Sequence, residues 1–212
     1  MQTKNQYFFL VLFACLIISG IQAQPVFGVK AGLNIANVRL SGPLIQNPSS
    51  LATFRVGGMV DIPMGESFSI QPGLFINSKG FEYSDNVQVV SYNPIYFDIP
   101  ILLLGKFDAG GVRAFAGLGP YVGFGFAGKA KLQSGGFSQN FNIQFGNTFL
   151  SDFKSVDFGL QFSGGVEFEG GIVLGISYDF GLVNVIPVDN SAGQNGATAQ
   201  HRVLLFSVGY FF

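Results

Sequence analysis

The chain has 212 residues, of which 48% are hydrophobic, 15% aromatic and only 11% charged, well below the roughly one quarter charged that is usual for a soluble domain. Eleven basic and twelve acidic residues leave a net charge of -1, so no basic field exists to attract nucleic acid, and the single cysteine, Cys15, excludes a disulfide scaffold. Thirty glycines, 25 phenylalanines and no tryptophan point to strands and turns rather than helices.

The first segment carries one lysine, an apolar run from Tyr7 to Ile18, and then small and polar residues up to Ala23. That is the layout of a secretory signal spanning 1–23, with Gln24 as the first residue of the mature chain and Cys15 inside the part removed. The run falls short of the roughly 20 residues a spanning helix needs, and every later apolar run is broken by Gly, Pro or a charged residue. A membrane reading must therefore rest on strands, in a single domain over 24–212.

From residue 27 onward apolar residues recur with period two. Eight strands are predicted: 27–38, 53–62, 68–80, 96–106, 112–126, 155–168, 172–182 and 201–212. In "SVDFGLQFSGGVEF" Val156, Phe158, Leu160 and Phe162 share one face, with Asp157, Gly159, Gln161 and Ser163 on the other. The connections at 63–67, 107–111 and 169–171 are short and carry glycine for tight turns. Those at 39–52, 81–95, 127–154 and 183–200 are long and polar, and the fifth and sixth strands are expected to run into the third of them. Strict alternation of short and long connections places all long loops at one rim. The predicted fold is an all-β, eight-stranded antiparallel up-and-down transmembrane β-barrel with short periplasmic turns and long extracellular loops.

A soluble lipocalin-like barrel would turn the same apolar face inward. Charge decides against it: the polar face offers Lys30, Arg55, Asp61, Lys79, Asp98, Lys106, Arg113, Asp157, Glu167 and Asp179, five basic and five acidic, too few for a solvated surface and suited to pairing across a narrow lumen. Phe68, Tyr96, Phe97, Phe107, Phe168, Tyr210 and Phe212 fall near strand ends and are expected in the interfacial girdles. Eight strands enclose an interior that side chains just fill, which opposes open diffusion of solutes.

The segments "FGVKAGLNIANV", "YFDIPILLLGKF", "FAGLGPYVGFGF" and "VLLFSVGYFF" in this order make the chain similar to the outer-membrane β-barrel domain of Gram-negative envelope proteins, the porin family or PorT-like group. The resemblance implies an outer-membrane location after signal cleavage, contact with outer-membrane lipid, and an assembly signal in the last strand (Phe206, Tyr210 and Phe212) read by the barrel-insertion machinery. It assigns no shared catalytic residue and no single activity, and neither a cofactor nor a metal is expected.

The residues agree on chemistry. His201, the one histidine, is expected to be a solvated residue near the outer rim, with Asp189 and Ser191 in the loop before it and no nucleophile-elbow sequence nearby. No cysteine remains for a metal, and the aspartates lack calcium-loop spacing. The expected function is that of a monomeric, non-enzymatic outer-membrane protein with a structural role or a loop-mediated extracellular or envelope protein partner. The alternatives are a narrow porin for ions or very small solutes and a PorT-like accessory in secretion.

Overall fold

The computed structural model describes residues 24–41, 48–85, 87–148, 151–187 and 198–212. The expected signal, Asp189 and Ser191 lie outside them. Ten strands follow one another: β1 (Val26–Ser41), β2 (Ser49–Pro63), β3 (Phe68–Ser78), β4 (Phe81–Ser84), β5 (Gln88–Asp108), β6 (Val112–Ser134), β7 (Phe137–Asn142), β8 (Val156–Phe168), β9 (Ile172–Gly181) and β10 (Thr198–Phe211).

Every strand pairing is antiparallel, and eight strands close a ring in the order β1, β2, β3, β5, β6, β8, β9, β10. The seam is complete: β10 returns to β1 from Gly28 opposite Phe211 to Ser41 opposite Thr198. The architecture is a barrel, and closure removes the unpaired strand edges that lipid cannot satisfy. The short connections turn on glycines with positive φ, Gly65 at 88°, Gly110 at 60° and Gly111 at 91°, and Gly170 at 93° and Gly171 at 87°, a region that side-chain-bearing residues seldom enter.

Two strands were not anticipated. β4 and β7 lie outside the ring at the long-loop end, where β4 pairs with β5 and β2, and β7 forms a hairpin with β6 across Gly135 and Gly136. β5 and β6 run 21 and 23 residues, beyond the roughly 9 to 11 that cross the hydrocarbon, and so stand above it. The expected extension into 127–154 is therefore made by β6, whereas β8 begins only at Val156. The β5–β6 register shifts between Ile95 and Tyr96, where Phe126 is the extra residue. Below it Tyr121, Gly123 and Gly125 point inward. Above it Ala130 packs inward while Lys129 and Lys131 are exposed, so the two faces of β6 change places.

The apolar set forms the outer wall: Leu33, Phe54, Leu74, Ile101, Phe158, Phe162, Ile176, Phe206 and Val208 are all exposed. Phe68, Phe97, Phe107, Phe168, Tyr210 and Phe212 are exposed as girdle positions require, but Tyr96 is wholly buried in the lumen. A side chain at the level of the outer rim is not thereby on the outer face: Tyr96 has the inward parity of Asp98.

Candidate functional site in the barrel interior

The interior is layered. In its outer half Lys79, which directly follows β3, places its Nζ 2.9 Å from Asp98 Oδ2 on β5 and 2.8 Å from Asp157 Oδ2 on β8, with all three side chains at 0% exposure. The Tyr96 and Tyr121 rings lie 5.1 and 4.3 Å from the ammonium, adding cation–π contact in a site closed to water. Tyr121 donates its hydroxyl to Asp157 Oδ2 at 3.2 Å, and Asn77 donates to Asp98 Oδ2 at 2.6 Å. Gly123 stands opposite both Asp98 and Asp157 in the ladders, and a Cβ there would lie 2.5 Å from Asp98 Oδ1. Glycine at this inward position makes room for the three charged groups.

Arg55 extends the cluster: its Nη1 lies 3.2 Å from Asp179 Oδ2, and Gln161 Nε2 donates to Asp179 Oδ1 at 2.5 Å. His201 does not meet the expectation of a solvated histidine. It is fully buried, with Nδ1 3.1 Å from Asp157 Oδ2 and its ring edge-on to Tyr96 at 5.4 Å. β10 begins at Thr198, so position 201 lies within the ring rather than on a loop, and its inward parity turns the imidazole into the lumen.

At the turn end Lys106 Nζ lies 2.7 Å from Asp61 Oδ2 and 3.4 Å from Glu167 Oε2, and Ser69 and Gln71 donate to Asp61 Oδ1. Arg113 departs from the expected lumen set: it is exposed at the rim, its Nε 3.0 Å from Asp108 Oδ1 on the neighbouring strand, because its place next to the β5–β6 turn leaves it beyond the enclosed interior. Lys30 is buried yet makes no hydrogen bond or ion pair among the described residues.

Two apolar layers complete the interior, and neither was expected. Met59, Phe75, Leu102, Leu104, Phe115, Val173 and Phe211 form a belt of inward-facing side chains across the barrel. Above the charged cluster, Val38, Phe81, Ile143, Phe153, Val185 and Ala199 form a second core. Phe81 stacks on Tyr92 at 5.3 Å, and Phe145 meets Tyr96 edge-on at 5.5 Å, so an aromatic cap sits directly over the buried ions. The uncharged members of the network, Asn34, Asn77, Tyr121 and Gln161, were also missed by a search confined to charge. Strand parity was the available signal for Asn34, Asn77 and Gln161, which lie an even number of residues from Lys30, Lys79 and Asp157.

A closed antiparallel ring with an apolar exterior, paired charges inside and long loops at one rim defines a membrane-spanning β-barrel. Residues 22–187 match the family described as outer membrane protein beta-barrel domain, and the chain belongs to that family, an all-β protein of the outer membrane. Among solved structures it is similar to Ail, the attachment invasion locus protein of Yersinia pestis, at 13% identity over 89% of this chain and 99% of that one, with a TM-score of 0.42. It is also similar to Neisserial surface protein A (14% identity, 87% and 95% coverage, TM-score 0.43) and to OprG from Pseudomonas aeruginosa (11%, 90% and 97%, 0.44). No curated protein matches the sequence.

Proposed function

We propose that this protein is a non-conducting, non-catalytic barrel that anchors an extracellular binding surface in the outer membrane. One observation carries the reading: the axis of the barrel is stopped at successive levels by the aromatic cap, the buried ion network and the apolar belt. Met59, Phe75 and Leu102 narrow the interior at the level of the belt, and the cavity beside them, lined also by Lys30, Arg55 and Gln71, has room for about one water, which opposes the porin reading. The charged lumen residues then act as cross-braces between strands distant in sequence. The surface so held consists of the β5–β6 extension, β4 and β7, whose six residues are all exposed.

A catalytic role has little support. The imidazole of His201 reaches Asp157, and its Nε2 meets no hydroxyl among the described residues. The decisive experiment is conductance of the purified, refolded chain in planar bilayers. No stepwise current above the bare-bilayer baseline is expected, and reproducible single-channel steps would overturn the closed-scaffold reading in favour of a pore.

A further inference from the structure

We infer that the middle of the lumen is a binding site for one small inorganic anion of the halide class, held between Lys30 and the unused edge of Arg55. The two cations belong to adjacent strands. Lys30 faces Gly57 and Arg55 faces Gly32 across the β1–β2 ladder, which makes them diagonal neighbours on the same inward face, about 7–8 Å apart at the backbone. Like charges so placed repel each other, and both are more than nine-tenths buried, at 8% and 3% exposure.

Their donors are unmatched. Arg55 gives Nη1 to Asp179, while its buried Nε and Nη2 meet no acceptor among the described residues. That Nε–Nη2 pair is the two-pronged side of the guanidinium suited to anions. The guanidinium is held in place by Asp179 on one side and by the Phe75 ring, 4.7 Å from Cζ, on another. Lys30 makes no bond at all among those residues.

The nearby carboxylates are already occupied. Asp179 is bound by Arg55 and Gln161, and Asp61 by Lys106, Ser69 and Gln71. Lys30 and Arg55 both line one small cavity that also touches Gln71, Gln161 and Ser177, and its free space admits about one water-sized particle. A space of that order favours a monatomic anion over the bulkier phosphate, sulfate and carboxylate groups. A water there would accept from the donors but would leave the repulsion between the two cations in place, whereas a monatomic anion answers both.

The test uses the refolded full chain in detergent. Crystals grown in sodium bromide are expected to show an anomalous peak between Lys30 Nζ and Arg55 Nε and Nη2, and the unfolding midpoint is expected to rise with chloride but not with sulfate at matched ionic strength. Lys30→Met should abolish the halide-dependent shift, while the exposed-site control Lys131→Met keeps it. Should Lys30→Met fail to assemble, the bromide experiment on the unaltered chain decides alone. A water at that position without anomalous signal, or equal stabilisation by sulfate and chloride, would overturn the proposal. Neither result bears on the absence of conductance, so the site and the closed scaffold stand or fall separately.

Discussion

Lys79 shows how much of this barrel rests on single side chains. Its ammonium serves two carboxylates, Asp98 and Asp157, in a region without solvent, and removing it would strand two buried anions. Breaking a buried pair from one side costs about 3–5 kcal/mol, so Lys79→Met is expected to lower the urea unfolding free energy in detergent by that amount. Arg113→Ala, which breaks the exposed pair with Asp108, should cost about 1 kcal/mol or less in the same assay. In the extracellular connection between β4 and β5, the Asp85 carboxylate accepts the backbone N–H groups of Val87 at 2.8 Å and Gln88 at 2.7 Å, and these bonds hold its carboxyl below the usual range. Because the charged form is the one bonded, the turn is stable at neutral pH and loosens as pH falls through and below about 4. The protection factors of the Val87 and Gln88 amides, measured relative to those of neighbouring amides, should accordingly fall between about pH 6 and about pH 3.

Strands differ in how plainly they can be read from the chain. β8 and β9 alternate cleanly because one face meets lipid and most of the other meets polar lumen groups, and their extents follow from that pattern, whereas Val203, Leu205 and Phe211 of β10 face inward. β5 and β6 alternate raggedly for a reason visible only in the fold: Leu102, Leu104 and Phe115 face inward as part of the belt, so both faces are apolar there. β4 has four residues and β7 six, too short for period-two reading, and they exist because β2, β5 and β6 offer edges above the ring. The charged lumen residues were legible from parity, but the inward place of His201 and Tyr96 was not, since it depends on where the ring ends. Close strand contact sets its own requirement at Gly119, where a Cβ would lie 1.8 Å from the Ile101 carbonyl oxygen. Gly119→Ala is expected to break the β5–β6 pairing and abolish the shifted band of the unboiled protein on detergent gels. Deleting 210–212 should do the same, since Phe211 donates a backbone hydrogen bond to Gly171 on the β9 side and Phe212 donates one to Phe27 across the seam.

At the scale of the whole molecule, closure governs association as well as permeability. Within the ring every strand has two neighbours, so the free strand edge belongs to β7, above the membrane, among the described residues. The wall facing lipid is apolar throughout and gains nothing by pairing with another copy, because hydrocarbon is as good a solvent for Phe and Leu as a second barrel. The protein is expected to sediment as a monomer in detergent. A dimer that disappears when β7 is deleted would instead assign that edge a role in self-association.

The extra residue at Phe126 has a meaning for depth. Below it the outward side of β5 and β6 carries Ile99, Ile101 and the stacked pair of Phe97 and Phe126, ring centroids 4.1 Å apart. Directly above it the same side turns to Asn93, Lys129 and Lys131. A strand that kept one phase would have sent those lysines toward the aromatic cap and Ala130 into water. By slipping half a repeat the chain swaps its two sides at one level, and so records in its own backbone where the hydrocarbon ends and the headgroups begin.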